Sequence, residues 1–101
     1  MKPVFKLSNY TSDIYVMYCD TEEKANDFLK FLDKNGMKWR SGKSYTGHNK
    51  FNSRTQICYC FNDGSYASLN WAIFNGYIIL EYDDFYWDNE KLCKFMNKVT
   101  K

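Results

Sequence analysis

At 101 residues the chain is one domain, which buries roughly two thirds of the surface its unfolded form exposes and excludes a need for metal or disulfide staples. No run approaches the 18 or more apolar residues of a membrane span. The formal net charge of +2 hides a sorting: Lys34 to Arg54 holds six basic and no acidic side chains, while Thr55 to Glu90 holds six acidic side chains and no Lys or Arg.

The start, Met1 to Leu7, turns polar at Ser8-Asn9 and lacks the apolar stretch of a signal peptide, which points to the cytoplasm. There the four cysteines, Cys19, Cys58, Cys60 and Cys93, are expected as free thiols. Ile14 to Cys19 alternates and reads as a strand. Asp20-Thr21-Glu22-Glu23 supplies an N-cap with a carboxylate three residues on, opening a helix to about Lys34. Ala25, Phe28, Leu29 and Leu32 form its core-facing stripe. Asn35-Gly36 ends it, with Gly36 in the left-handed cap conformation.

Met37 to Arg40 reads as a short extended segment, followed by a polar loop, Ser41 to Ser53, whose length exceeds that of a plain connection. Thr55 to Phe61 reads as a strand, and Asn62-Asp63-Gly64 is a strong hairpin signal. Ser65 to Ser68 forms the return strand, and Ser68 caps a short helix ending at Asn75-Gly76. Tyr77 to Tyr82 is the most apolar strand and is expected at the centre. Asp84-Phe85-Tyr86-Trp87 turns out of it, and Asp88 caps a last helix with Leu92, Phe95, Met96 and Val99 inward. The expected fold is a small single α+β domain, a mainly antiparallel sheet of about four strands with two to three helices, in the order β-α-β-β-β-α-β-α.

The stretch from Gly36 to Ser44 looks like a phosphate-binding loop, but it has five residues between its glycines where that motif needs four, and it follows a helix. This excludes a nucleotide hydrolase of that type. An anion- or nucleic-acid-binding role survives for Trp39, Arg40, Lys43, Tyr45, His48, Lys50 and Arg54, where rings interleave with charges as stacking groups would. Cys58-Tyr59-Cys60 lacks the second pair of a structural zinc site, and His48 is the only histidine, so neither a metal site, a cofactor nor a catalytic Cys-His pair is expected. The acidic end offers Glu81, Asp83, Asp84, Tyr86, Trp87 and Asp88 as a partner-binding surface, since desolvated Tyr and Trp are frequent hot spots.

The order of a strand, the helix start Thr21-Glu22-Glu23-Lys24-Ala25, Gly36, Trp39-x-Ser41-Gly42, Thr55-x-x-Cys58 and Gly76-Tyr77-Ile78-Ile79-x-x-Tyr82-Asp83-Asp84-Phe85 resembles small phage and prophage accessory proteins of low-GC Gram-positive bacteria. That resemblance implies a non-enzymatic protein of the host cell cytoplasm that blocks a defence component, such as a CRISPR nuclease. The acidic aromatic surface would occupy a basic groove that normally holds nucleic acid. The alternative is a small nucleotide- or nucleic-acid-binding module using the basic loop from Trp39 to Arg54. No membrane partner is expected, and the two opposite charge blocks leave a homodimer open.

Overall fold

The computed structural model describes residues 2–52 and 54–87. Four strands, β1 (Tyr15–Tyr18), β2 (Ile57–Cys60), β3 (Ser65–Ser68) and β4 (Ile78–Glu81), form one sheet in the order β3-β2-β1-β4. β1 pairs with β2 and β2 with β3 antiparallel, whereas β4 lies parallel to β1, with Tyr15 opposite Ile78. Helix α1 (Glu22–Lys34) and helix α2 (Leu69–Phe74) sit on opposite faces. The result is the expected small α+β domain with a mostly antiparallel sheet.

The period of two along the strands creates this layering. Met17 and Cys19 join Ile57, Tyr59 and Phe61 in a core beneath α1, while Val16, Cys58, Cys60 and Ala72 form a second cluster beneath α2. From α1, Ala25, Phe28, Leu29 and Leu32 are all buried, the four positions of the apolar stripe. The first core is built largely of rings. Phe5 stacks on Tyr10 at 5.3 Å and Trp87 at 4.6 Å and meets Phe28, Phe31, Phe61 and Phe85 edge-on. Backbone bonds from Phe5 N to the Tyr86 carbonyl and from Tyr86 N to the Pro3 carbonyl tie the first residues beside the exit of β4.

Both helices stop by the same device. Gly36 N and Met37 N donate to the carbonyls of Asp33 and Leu32, and Gly76 N and Tyr77 N donate to those of Ile73 and Ala72. Each pair of bonds is a Schellman closure, which needs a left-handed residue after the C-cap, and Gly36 and Gly76 supply it at φ 79° and 78°. At the other end the cap of α1 is Thr21, whose Oγ1 accepts from Lys24 N at 3.2 Å, rather than Asp20. Asp20 is drawn instead into an ion pair with the Lys24 ammonium. Ser68 caps α2 as expected, accepting from Trp71 N at 3.1 Å.

Two expectations change. Met37 to Arg40 is not a strand of the sheet: Trp39 N closes a turn onto the Lys43 carbonyl, and Arg40 N donates to the Gly64 carbonyl at 2.8 Å. The apolar strand β4 is at an edge, not at the centre. Its apolar run is partly covered on both faces, Leu80 packing against the core under α1 and Ile79 against the cluster under α2, while Ile78 stays exposed. The expected last helix, with Leu92, Phe95, Met96 and Val99, lies outside the described residues, as does Cys93. Among the described residues no helix is long and apolar enough to cross a membrane.

Candidate functional site

The long loop after α1 is pinned at several points, and the pinning determines which of its side chains reach solvent. Trp39 and Tyr45 are its anchors, only 7% and 1% exposed, with their rings 4.7 Å apart. Ser44 Oγ donates to Asp33 at the end of α1. Asn49 Nδ2 donates to Glu22 and Asn26 near the start of the same helix, and the Tyr59 hydroxyl donates to the Asn49 carbonyl. Tight turns at Gly42 and Gly47, both at positive φ, reverse the chain between these anchors.

With the rings turned inward, the charged side chains turn outward. Arg40, Lys43, His48 and Lys50 surround a cavity of about 390 Å³ that Trp39 lines on one side and Ser65 and Tyr66 of β3 on the other. Lys50 adopts φ 58°, the one left-handed residue other than glycine among the described residues. Such a conformation costs about 1 to 3 kcal/mol and persists where the surroundings over-determine it, often at functional sites. Two buried donors of the anchor rings, Trp39 Nε1 and the Tyr45 hydroxyl, have no hydrogen-bond partner among the described residues. Burial, with the charge of Asp63 adding, pushes the Tyr45 hydroxyl up to about 12, so it keeps its proton.

The structure therefore brings together five of the seven basic-loop residues. Tyr45 serves as a buried support behind them, and Arg54 does not line the cavity. Trp39 and Tyr45 are too buried to stack on a ligand face to face. Tyr66 is the ring available for that role, at 47% exposure and edge-on to Trp39 at 5.9 Å. Sequence spacing gave no sign of Tyr66, because it arrives from across the hairpin. The signal that could have found it is Gly64, whose tight turn brings β3 against the loop.

Arg40 also forms an ion pair with Asp63, which ties the basic block to the acidic one. Hydrogen bonds from the Ser65 hydroxyl and from Arg40 hold the Asp63 carboxyl below its usual range. The pair is solvent-exposed, so its removal in Asp63→Asn is expected to lower stability by less than about 1 kcal/mol. A depressed folded-state value means the contribution is present above the unfolded carboxyl's titration and is lost as pH falls through the folded one. Urea midpoints of wild type and variant are thus expected to differ at neutral pH and to converge in strong acid. Arg40 retains further guanidinium donors for an anion, since one contact leaves most of its five unused.

At the acidic end the candidates separate. Glu81, Asp83, Asp84 and Tyr86 are all exposed, and Asp83 also accepts a 2.8 Å bond from Lys24. Trp87 packs on the core, stacked on Tyr82 at 4.9 Å, with its Nε1 donating to the Tyr82 carbonyl. Asp88 lies outside the described residues. Bonds from Lys24 to Asp20 and Asp83 raise the lysine's pKa.

Burial pushes the Cys58 thiol up to about 12 and also raises Cys19 and Cys60, so all three stay protonated at neutral pH and are poor nucleophiles. Among the described residues no group of three or more His, Cys, Asp or Glu side chains is placed to hold a metal ion. Comparison with protein-family models, curated proteins and solved structures finds no match to this chain.

Proposed function

We propose that this protein is a non-enzymatic binding module for phosphate-bearing ligands of the nucleotide class, held in the basic cavity beside β3. The observation that carries this reading is the convergence of Arg40, Lys43, His48 and Lys50, from separate turns of one loop, on a single cavity. Arg presents a planar fork to phosphate oxygens, and Lys supplies a mobile point charge.

The double variant Arg40→Ala/Lys43→Ala tests it. Both side chains are exposed, so the fold is expected to survive. Binding of a fluorescent single-stranded oligonucleotide is expected to weaken at low salt. The log–log slope of affinity against salt is expected to flatten by about one per lost phosphate contact. Unchanged affinity and slope would remove the basic cavity as the site.

A second reading, drawn from the resemblance to phage accessory proteins, has the acidic end blocking a host defence protein. It rests on the exposure of Glu81, Asp84 and Tyr86. Of its residues Trp87 packs on the core, and Asp83 is paired with Lys24 as Arg40 is with Asp63.

A further inference from the structure

A second cavity, again of about 390 Å³, lies on the other face of β3 and shares Ser65 and Tyr66 with the first. Its character is opposite. Trp71, Tyr77, Ala67 and Cys60 line it, and among the described residues no Lys or Arg takes part and Asp63 is its one charged residue. Residues 65 to 80, which supply most of this surface, contain no charged side chain at all. The Trp71 and Tyr77 rings lie 5.4 Å apart at 32°, and Trp71 is 47% exposed. Ser65 and Ser68 add hydroxyls at the rim.

β3 is the edge of the sheet, so nothing else in the sheet separates the two cavities. One is suited to phosphate, and the other offers flat apolar rings with a few hydroxyls and, among the described residues, no cation. Each has a volume near the lower end for small-ligand pockets, room for about one nucleotide. Side chains on opposite faces of a strand point away from each other, so a ligand that fills both must pass over the strand edge.

From this arrangement we infer that the ligand is a single-stranded nucleic acid that crosses the β3 edge. One nucleotide's phosphate sits among Arg40, Lys43 and Lys50, and the next base stacks on Trp71. This inference rests on the proposed role of the basic cavity and extends it to a second subsite. Base–aromatic stacking tolerates any sequence because every base has a π-face, so the site reads strand length and not base identity.

Titration of the full chain with thymidine 5′-phosphate, a 5′-phosphorylated thymidine dinucleotide and a longer oligothymidylate, with the matching uridylates and inorganic phosphate alongside, separates the two claims. Affinity is expected to rise from mononucleotide to dinucleotide. Trp71→Ala is expected to remove roughly 5- to 150-fold of the dinucleotide affinity while leaving the mononucleotide unchanged, and Trp71→Phe to restore most of it. Equal affinity for mono- and dinucleotide, or equal weakening of both by Trp71→Ala, overturns the second subsite and leaves the basic cavity standing. Inorganic phosphate competing as well as the dinucleotide reduces the site to an anion pocket and also overturns it. Absence of binding by every probe removes the basic cavity and the extension together.

Discussion

Replacing Phe28 with alanine is expected to lower stability by about 3 to 5 kcal/mol, the usual range for truncating a buried ring. Phe28 is fully buried on the inner stripe of α1. It meets Phe61 at 5.7 Å and Trp87 at 5.3 Å edge-on, and Phe5 at 6.3 Å. Those contacts join α1 to the residue just past β2, to Phe5 and to the segment after β4. Aromatic pairs of this geometry contribute about 0.5 to 1.5 kcal/mol each beyond area burial. A domain of this size has only about 5 to 15 kcal/mol in total, and at roughly 4 to 8 °C per kcal/mol the variant is expected to melt about 12 to 40 °C lower. Thermal melts and urea midpoints check this, with Phe28→Leu as a milder control. A Phe28→Ala loss under about 1 kcal/mol would show that the ring cluster does not hold α1 on the sheet.

The second large effect is expected at Gly64, where a cost in stability and a cost in binding have one cause. Its φ of +77° is strained for any other residue, a penalty of about 1 to 2 kcal/mol. A Cβ there would also come within 2.7 Å of Arg40 N and 3.0 Å of the Lys38 carbonyl oxygen, both backbone atoms. The segment carrying Trp39 and Arg40 would have to move, breaking the bond from Arg40 N to the Gly64 carbonyl. Gly47 provides the comparison: it has φ +82° but open space around its would-be Cβ. Gly64→Ala is therefore expected to cost at least about 2 kcal/mol and to weaken oligonucleotide binding, while Gly47→Ala pays the strain alone. Equal losses of stability in the two variants would contradict the close approach at Gly64.

How far the fold was legible follows from how local each signal is. The stripe from Ala25 to Leu32, the two Asn-Gly helix ends, the Asn62-Asp63-Gly64 turn and the Ser68 cap all depend on neighbours within a few residues, and each is found where the sequence places it. The position of β4 depends on a partner far along the chain, and an apolar run reports cover on both faces rather than rank in the sheet. Met37 to Arg40 failed as a strand because one backbone bond to Gly64 and a turn onto Lys43 satisfy the segment without a ladder.

The candidate site was legible in its charges but not in its rings. Arg40, Lys43, His48 and Lys50 could be grouped because they share one loop, and the cavity gathers them. Trp39 and Tyr45 have the same spacing as stacking groups, yet burial makes them anchors, and spacing alone does not separate those roles. At the acidic end the same ambiguity recurs, since Trp87 joins the ring core instead of the surface.

The parallel pairing of β1 with β4 has a kinetic side. Tyr15 meets Ile78, and Val4 meets Tyr86, so the sheet closes only when residues far apart in sequence find each other. Such contacts carry loop-closure entropy before they return any stabilisation, and they slow folding. A chain growing from its N-terminus can assemble α1 and the β2-β3 hairpin first. One side of β1 then stays open until β4 emerges, which makes that open edge the place where a nascent chain is most exposed to pairing with the wrong partner.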